Sequence, residues 1–381
     1  MDGSRFIPNL GVPETVTHLL VGDTNETPAR PLTTAPTPLV NAGEYSYAVA
    51  QGNTIIVGNS TKSQIIASIA NGKPIIQLLT DSTSIYSIHL DGTVKAFDHN
   101  GKQRWSSRIA GFPTLHTILA NSKLIAASDS GIHAFDIRTG SLAWSYATTL
   151  SIEGLVYNEK SKIVMAAISH HSFDANDSIL CFSIIGSVIN RFTVPVGRIT
   201  SNLCTCGGDR MDIAFGYLGK PNPSEMKRSA YCVIYSGIET KHPKLISRHE
   251  LPYLITNLAS NGPVVLASGF RETGGDLQSG IDAFSSEDSS KLWQRRLSYP
   301  IVTPVAVGEK FAYFSLTFAA QAQVISNSIF YSLDMNNGKT LSELPISGAR
   351  HGFVMGLPMP QEDKGFILSD LDKPMIYFLR P

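Results

Sequence analysis

The sequence predicts an all-β protein assembled from a repeated unit, on three observations. First, the composition is rich in Val, Ile, Ser, Thr and Gly, which suits strands and turns, and charged residues make up only 16% of the 381 residues. Second, short apolar runs end in turn residues throughout the chain, and no stretch has the periodicity of a long amphipathic helix. Third, one short motif recurs along the whole chain.

The recurring motif is a small residue, a large apolar residue and often Asp, followed by a turn closed by Gly and then by Trp or another apolar residue. Its clearest copies begin at Ala96 and Ala134, and in both of them Trp stands four residues after Gly. In the copy that begins at Ala283, Ser289 stands where Gly would be expected. The less complete copies begin at Ala67, Cys181, Cys232 and Ser332, and the chain ends in an eighth apolar run at residues 375–379.

The spacing of the motif predicts the architecture. Successive small positions lie 29 to 51 residues apart, and each copy lies within a group of four short strand-like runs. Such a sheet buries both faces only by packing between two neighbours. The small residue leaves room where sheets converge, Trp offers a flat surface between them, and Asp and Gly shape the hairpin. We therefore predict an eight-bladed β-propeller of four-stranded antiparallel blades.

The two ends of the chain predict how the ring closes. The last unit stops at its third strand, at Pro381, and residues 17–23 are the best strand candidate near the N-terminus. Because an unpaired sheet edge needs a partner, we expect residues 17–23 to complete the last blade. Residues 1–44 then form an arm that carries this strand, residues 45–381 form the propeller, and the two make one domain.

Charge and hydropathy restrict the classes of partner. The 31 Lys and Arg residues balance the 31 Asp and Glu residues, so there is no electrostatic reason to expect nucleic acid or an acidic membrane surface. No run approaches the roughly 18 apolar residues of a membrane span, and residues 1–6 lack the apolar core of a signal peptide. The compartment stays open: periplasmic or outer-membrane-associated if a signal was removed, and cytoplasmic otherwise.

The Ala-Phe-Asp-x-x-x-Gly-x-x-x-Trp copies resemble the repeat of the quinoprotein-like propellers, which carry pyrroloquinoline-quinone (PQQ) type repeats. The resemblance covers roughly residues 45–381, with recognisable motifs in the second, third, sixth and seventh units. This superfamily contains eight-bladed alcohol dehydrogenases and non-enzymatic members, and the BamB lipoproteins of the bacterial outer-membrane assembly machinery are nearest to this chain in size. The motif is architectural, so the resemblance implies a fold and transfers no active site.

The resemblance also shows where this chain departs from the enzymes. The quinoprotein dehydrogenases are considerably longer and hold their cofactor against a disulfide between two adjacent cysteines. This chain has no Cys-Cys pair, and Cys204-Thr205-Cys206 is the nearest feature. We therefore expect no cofactor and no enzymatic activity, and predict a protein-interaction scaffold, BamB-like in outer-membrane protein assembly. The alternative is a quinone- or carbohydrate-directed enzyme or ligand-binding propeller.

Cysteine and histidine clusters raise the question of a metal site. Cys204 and Cys206 could be half of a zinc site, but we expect ordinary strand residues with opposite orientations. Cys181 and Cys232 replace Ala at the small position, and equivalent positions of packed blades lie about 10 Å apart, beyond the roughly 7 Å reach of a disulfide. We expect both to be buried free thiols. Residues 170–177 hold two His and two Asp and could bind a divalent metal, although a solvated loop is the prediction that we prefer.

The links between the second and third strands carry the prediction of a binding surface. They are long in four consecutive units, at residues 170–178, 218–229, 271–279 and 319–328. Loops longer than a hairpin requires are often functional, although tolerated insertions explain them equally well. We predict that they bind a protein partner of unknown identity, and that the chain itself is a monomer. The candidate binding residues are Phe173, Met226, Arg271 and Gln321, residue types that suit an interface.

Overall fold

Every regular element of the described chain is a β-strand, which confirms the all-β prediction. The structure is a computed structural model, and no helix in the part that it describes is long and apolar enough to cross a membrane. It describes residues 15–20, 39–41, 46–51, 53–59, 63–68, 72–170, 176–194, 197–206, 212–219, 229–238, 240, 242–273, 276–298, 301, 305–308, 310–317, 328–346, 354–358, 366–370 and 375–380.

The described strands form eight antiparallel sheets. A first strand, β1 (Thr15–Leu20), precedes the first two sheets. The first sheet comprises β2 (Leu39–Asn41), β3 (Ser46–Gln51), β4 (Thr54–Asn59) and β5 (Ser63–Ser68). The second comprises β6 (Ile75–Thr80), β7 (Ile85–His89), β8 (Thr93–Phe97) and β9 (Gln103–Arg108).

The third to sixth sheets follow in chain order. The third comprises β10 (Pro113–Ala120), β11 (Lys123–Ser128), β12 (Gly131–Asp136) and β13 (Leu142–Ala147). The fourth comprises β14 (Ser151–Asn158), β15 (Ile163–Ser169), β16 (Ser178–Ser183) and β17 (Val188–Thr193). The fifth comprises β18 (Gly197–Ile199), β19 (Cys204–Cys206), β20 (Asp212–Gly219), β21 (Ala230–Ser236) and β22 (Lys244–Leu251). The sixth comprises β23 (Leu254–Ser260), β24 (Val264–Thr273), β25 (Asp276–Ser285) and β26 (Lys291–Leu297).

The last two sheets complete the chain. The seventh comprises β27 (Ala306–Val307), β28 (Phe311–Thr317), β29 (Ser328–Asp334) and β30 (Thr340–Ile346). The eighth comprises β31 (Val354–Pro358), β32 (Phe366–Asp370) and β33 (Met375–Arg380), with β1 as its fourth strand. The chain divides into two compact units, one of residues 1–106 with 299–381 and one of residues 107–298. Each unit therefore holds four of the eight sheets almost completely.

The N-terminal strand joins the last sheet. The predicted range is residues 17–23, and the strand lies at Thr15–Leu20, so it begins two residues earlier and ends three residues earlier. It pairs antiparallel with β33, with Leu19 opposite Ile376. β1 is thus the fourth strand of the eighth sheet, whose other strands are the last three of the chain. The closure of a complete ring by this strand, and the division into a 1–44 arm and a 45–381 propeller, stay predictions.

The motif marks the third strand of a sheet and the bulge that faces it. In the third sheet the pairing of β12 with β13 shifts by one residue between Ala134 and Phe135. The Asp136 carboxylate accepts the Arg138 and Thr139 backbone N–H groups at 3.0 and 3.2 Å, which shapes the turn as predicted. The same shift follows Cys181, Ala283 and Ser332.

Two weak copies of the motif are assigned wrongly from sequence. Ala67 lies in the fourth strand β5 opposite Ile55, and the shift of the first sheet directly follows Ile55 in β4. In the fifth sheet the shift directly follows Ile234, and Cys232 stands two residues earlier. Neither copy contains an Ala-Phe pair, so only the spacing indicates where the small position lies, and in these two sheets the spacing is misleading. With Ile55 as the small position, the anomalous spacing of 29 to Ala96 becomes 41, close to the others.

Trp144 confirms the predicted role of the motif Trp as a wedge between neighbouring sheets. Its indole Nε1 donates a hydrogen bond to the Ile184 carbonyl at 3.0 Å, and its ring stacks on Phe182 at 5.8 Å. Gly186 lies against the same ring, where an added Cβ would come within 2.5 Å of Cγ. Ala134, the small residue behind it, is fully buried in the cluster that joins the third and fourth sheets.

Candidate functional site

The predicted binding surface consists of the links between second and third strands, and the fourth-sheet link is held firmly at its base. Asp177 is fully buried, and its carboxylate accepts the backbone N–H groups of His170 at 2.9 Å and of Ile199 at 2.7 Å. Both oxygens are therefore committed to the backbone. Asp177 thus fixes both the link and the start of the fifth sheet. This structural role accounts for the presence of Asp177 among the His and Asp residues at 170–177, which by composition could suggest a metal site.

The fifth and seventh links also begin and end at paired residues. The Gly219 N–H donates to the Ser229 carbonyl at 3.0 Å, and the Ser229 hydroxyl donates to the Glu250 carboxylate at 2.5 Å. In the seventh sheet, Thr317 pairs with Ser328 across the base of the link. Because the two ends of each link are paired within a sheet, the links start from fixed positions, as a binding surface requires.

The sixth link differs from its prediction. Residues 271–279 are predicted as a loop, but β24 and β25 continue to pair as far as Thr273 opposite Asp276. Only residues 274 and 275 separate the strands, and a Gly-Gly pair is typical of a two-residue hairpin connection. The expectation of a loop is therefore wrong, and these residues extend a regular β-ribbon. The long polar run obscured the pairing because its alternation is weak.

Arg271 is the predicted binding residue that the structure describes. It lies in β24 opposite Gln278, and it is half-buried while Gln278 is exposed. Phe173, Met226 and Gln321 lie outside the described residues. The four side chains therefore stay a predicted set, of which one has a defined position on a rigid ribbon.

The cysteines lie in the core. All four are free and buried, which agrees with the prediction for Cys181 and Cys232. The opposite orientations predicted for Cys204 and Cys206 are wrong, because residues two apart in a strand point to the same face and both belong to one apolar cluster with Cys232. Burial raises the thiol pKa of Cys204, Cys206 and Cys232, which disfavours the reactive thiolate.

A buried ion network in the sixth sheet was missed from sequence. Asp282 is fully buried, and its carboxylate accepts hydrogen bonds from the Tyr253 hydroxyl and the Arg296 guanidinium, both at 2.6 Å. Lys291 forms an ion pair with it at 2.5 Å. Burial alone would raise the pKa of Asp282, but the hydrogen bonds from Arg296, Lys291 and Tyr253 hold it below its usual value. The signal in the sequence was a single Asp within the otherwise uncharged run Gly280–Phe284.

Two titratable side chains near the thiols have buried atoms without hydrogen-bond partners. The side chains are Asp212 and His249, and the atoms without partners are the two carboxylate oxygens of Asp212 and Nε2 of His249. The His249 ring stacks on Phe284 at 4.2 Å, and burial lowers the pKa of His249. In the part of the chain that the structure describes, no three His, Cys, Asp or Glu side chains are placed to hold a metal ion.

Comparison with known proteins gives one family match. Residues 75–179 match the family described as outer membrane protein assembly factor BamB. This range covers the second and third sheets and the first two strands of the fourth, β14 and β15, and it includes the clear motif copies at Ala96 and Ala134. No curated protein matches the chain.

Several solved structures share the fold. The computationally designed Ika8 protein matches with a TM-score of 0.67 and 14% identity over 92% of this chain and 98% of its own. BamB from Moraxella catarrhalis matches with a TM-score of 0.58 and 13% identity over 96% and 98%. Saccharomyces cerevisiae Sqt1 matches with a TM-score of 0.63 and 10% identity over 90% and 94%. The chain has the β-propeller fold of these structures, and its residues 75–179 match the BamB family.

Proposed function

We propose that the chain is a non-enzymatic scaffold that binds a protein partner in outer-membrane protein assembly. The family match supports this role, because the matched family is named for that process. A place of action at the outer membrane follows from the proposal. The observation that carries it is that the long links between second and third strands start and end at residues fixed by hydrogen bonds or strand pairing. These residues are Asp177, Ser229 and Thr317.

The physical argument starts from what the strands leave free. Sheet packing buries most strand side chains, as in β15, where every residue is buried, and in β20, where every residue except Leu218 is buried. Partner-specific chemistry must then lie in segments that project from the sheets. The extended β24–β25 ribbon presents Arg271 and Gln278 side by side, and arginine is enriched at binding hot spots. We expect the links at residues 170–178, 218–229 and 271–279, which belong to one compact unit, to provide the roughly 800 Å² per partner that a standard interface requires.

The test compares two sets of variants in cells that produce the protein. The tagged chain is purified from the envelope, and co-purified outer-membrane assembly components are quantified by mass spectrometry. Replacing Phe173, Met226 and Arg271 by alanine should weaken recovery and the affinity measured with the purified partner by at least about tenfold. On this proposal the three side chains serve the partner and not the packing of the sheets, so the melting temperature should stay nearly unchanged.

The matched control is Leu90→Ala. Leu90 is 49% exposed in the corresponding link of the second sheet, where its backbone N–H donates to the Pro74 carbonyl. This variant should bind as the wild type does. If binding survives the triple substitution but is lost in Leu90→Ala, the interface lies on the second sheet and the proposed location of the interface is wrong. Recovery of no assembly component by the wild type would refute the proposed function itself.

A further inference from the structure

We propose that β13 is an association edge at which a second copy of this chain adds its own β13 in antiparallel pairing. The strand is the outermost of the third sheet, and it pairs only with β12 in the described structure. Its free edge therefore presents backbone N–H and C=O groups to the surroundings. Such an edge is a template for another strand unless the protein protects it.

The other outer strands of the same unit are protected by charge, and β13 is not. Charged side chains on an edge strand are a common means of preventing unwanted pairing. The sequence of β13 is Leu-Ala-Trp-Ser-Tyr-Ala, which has no charged residue. The charged residues of the other three outer strands are Arg191 in β17, Lys244, Arg248 and Glu250 in β22, and Lys291, Arg295 and Arg296 in β26.

Exposed apolar side chains lie on β13 and on the hairpin that packs against it. Leu142 is 56% exposed in β13, and Ile185, Val188 and Ile189 of the neighbouring β16–β17 hairpin are 75%, 49% and 47% exposed. The hydrogen bond from Trp144 to the Ile184 carbonyl holds that hairpin against β13. Single exposed apolar residues are normal, whereas a group on two joined elements marks a contact surface.

The charge pattern favours a second copy as the occupant. In a twofold-symmetric antiparallel pair, each strand meets its own sequence, so an edge whose charges are all of one sign would oppose like charges. The edge strand β9, which carries Arg104 and Arg108, illustrates that penalty, and β13 avoids it. The exposed side chains Ala143, Ser145 and Ala147 are small and permit close approach. We expect a contact made by one strand and its flanking hairpin to be smaller than a standard interface, so the dimer should be weak and reversible, and the protein should be the monomer that the sequence predicts at low concentration.

The test is sedimentation equilibrium of the full chain, from low micromolar concentration to the highest that stays soluble. The wild type should show a reversible monomer–dimer equilibrium. Ser145→Lys places a charge on the edge and should weaken dimerisation by at least about tenfold. The matched control is Ser106→Lys, which changes an exposed Ser directly after the motif Trp on the already charged edge β9 and should leave dimerisation unchanged.

A second variant, Ile185→Asp, leaves β13 intact and should weaken the dimer through the flanking hairpin. Circular dichroism and melting temperature establish that each variant is folded. A wild type that stays monomeric throughout the concentration range overturns the proposal. A dimer that tolerates both Ser145→Lys and Ile185→Asp also overturns it, as does a monomer whose β13 becomes protected only by a segment of a different protein. None of these outcomes bears on partner binding at the links, so the two proposals fail separately.

Discussion

Replacing Ser289 by glycine should make the protein more stable. Ser289 occupies the turn position that Gly fills in other copies of the motif, and its φ is 60°, close to the 86° of Gly101 and the 72° of Gly140. An L-residue pays for this left-handed conformation, whereas glycine does not. The Ser289 side chain is also buried, and its hydroxyl oxygen has no hydrogen-bond partner. The natural residue is therefore doubly unfavourable at this turn.

The magnitude follows from three contributions. The left-handed conformation costs an L-residue about 1–2 kcal/mol, and a buried hydroxyl without a partner costs about 1–3 kcal/mol. Glycine gives back about 0.4–1 kcal/mol because it enlarges the unfolded ensemble. The sum of the three contributions is favourable, so Ser289→Gly should raise the free energy of unfolding by at least about 1 kcal/mol. Ser289→Ala removes only the unpartnered hydroxyl and should give a smaller gain.

The assay is denaturant unfolding of the wild type, both Ser289 variants and Gly101→Ser. The last variant introduces the same residue at the equivalent turn of the second sheet and should lose about 1 kcal/mol. The expected order of stability is Ser289→Gly, Ser289→Ala, wild type and Gly101→Ser. If Ser289→Gly is no more stable than the wild type while Gly101→Ser is destabilised, the assignment of Ser289 to the glycine position is refuted.

Four further predictions concern packing and titration. Gly186→Ala should destabilise the protein by about 2–4 kcal/mol, because the new Cβ meets Trp144 at a φ of +90°, whereas Gly237→Ala, with its nearest atom at 3.6 Å, should lose only about 1 kcal/mol in the same unfolding assay. The four buried thiols should react slowly with a thiol reagent in the native protein and fully after denaturation; fast native reaction would contradict their burial. Because burial lowers the pKa of His249, its contribution to stability is present above about pH 6.5 and is lost as pH falls through the folded pKa, so His249→Phe should reduce the slope of unfolding free energy against pH in that range. Asp282→Asn should cost about 2–3 kcal/mol, less than a fully buried pair since its two cations are partly exposed, and an unchanged midpoint in denaturant would contradict the network.

Local chemistry was sufficient to predict the sheets where the motif is complete. A small residue followed by a large apolar one, an Asp that binds its own turn and a Gly of positive φ all act within a few residues, as at Ala134 and Asp136. The Trp wedge could also be predicted, because a large flat side chain at a fixed distance from the turn has one place to pack. Trp144 lies in that place.

Features that depend on pairing between distant residues could not be predicted. Ala67 was misplaced because a degenerate copy leaves only spacing as a guide, and the true bulge follows Ile55. The ribbon that carries Arg271 depends on cross-strand pairing that its polar sequence does not reveal. The Asp282 network joins Tyr253, 29 residues away, to cations on the next strand, and only the folded sheet brings them together.

The site was predicted by position rather than by chemistry. Loop lengths predict where a partner binds, which stays a prediction, and the structure shows paired residues at the ends of those links, at Asp177, Ser229 and Thr317. Residue type is the only indication of which side chains make the contacts. Residue type ranks candidates, but contact energies depend on the partner's surface, which the sequence of one chain does not contain.

Hydrogen–deuterium exchange on the co-purified complex tests the central claim most directly, because it reports which segments a partner covers. The account predicts that partner binding slows exchange in the links at residues 170–178, 218–229 and 271–279, and leaves the corresponding second-sheet link around Leu90 unchanged. Slowed exchange confined to the second-sheet link or to the outer strands β17, β22 and β26, with those three links unaffected, would contradict it.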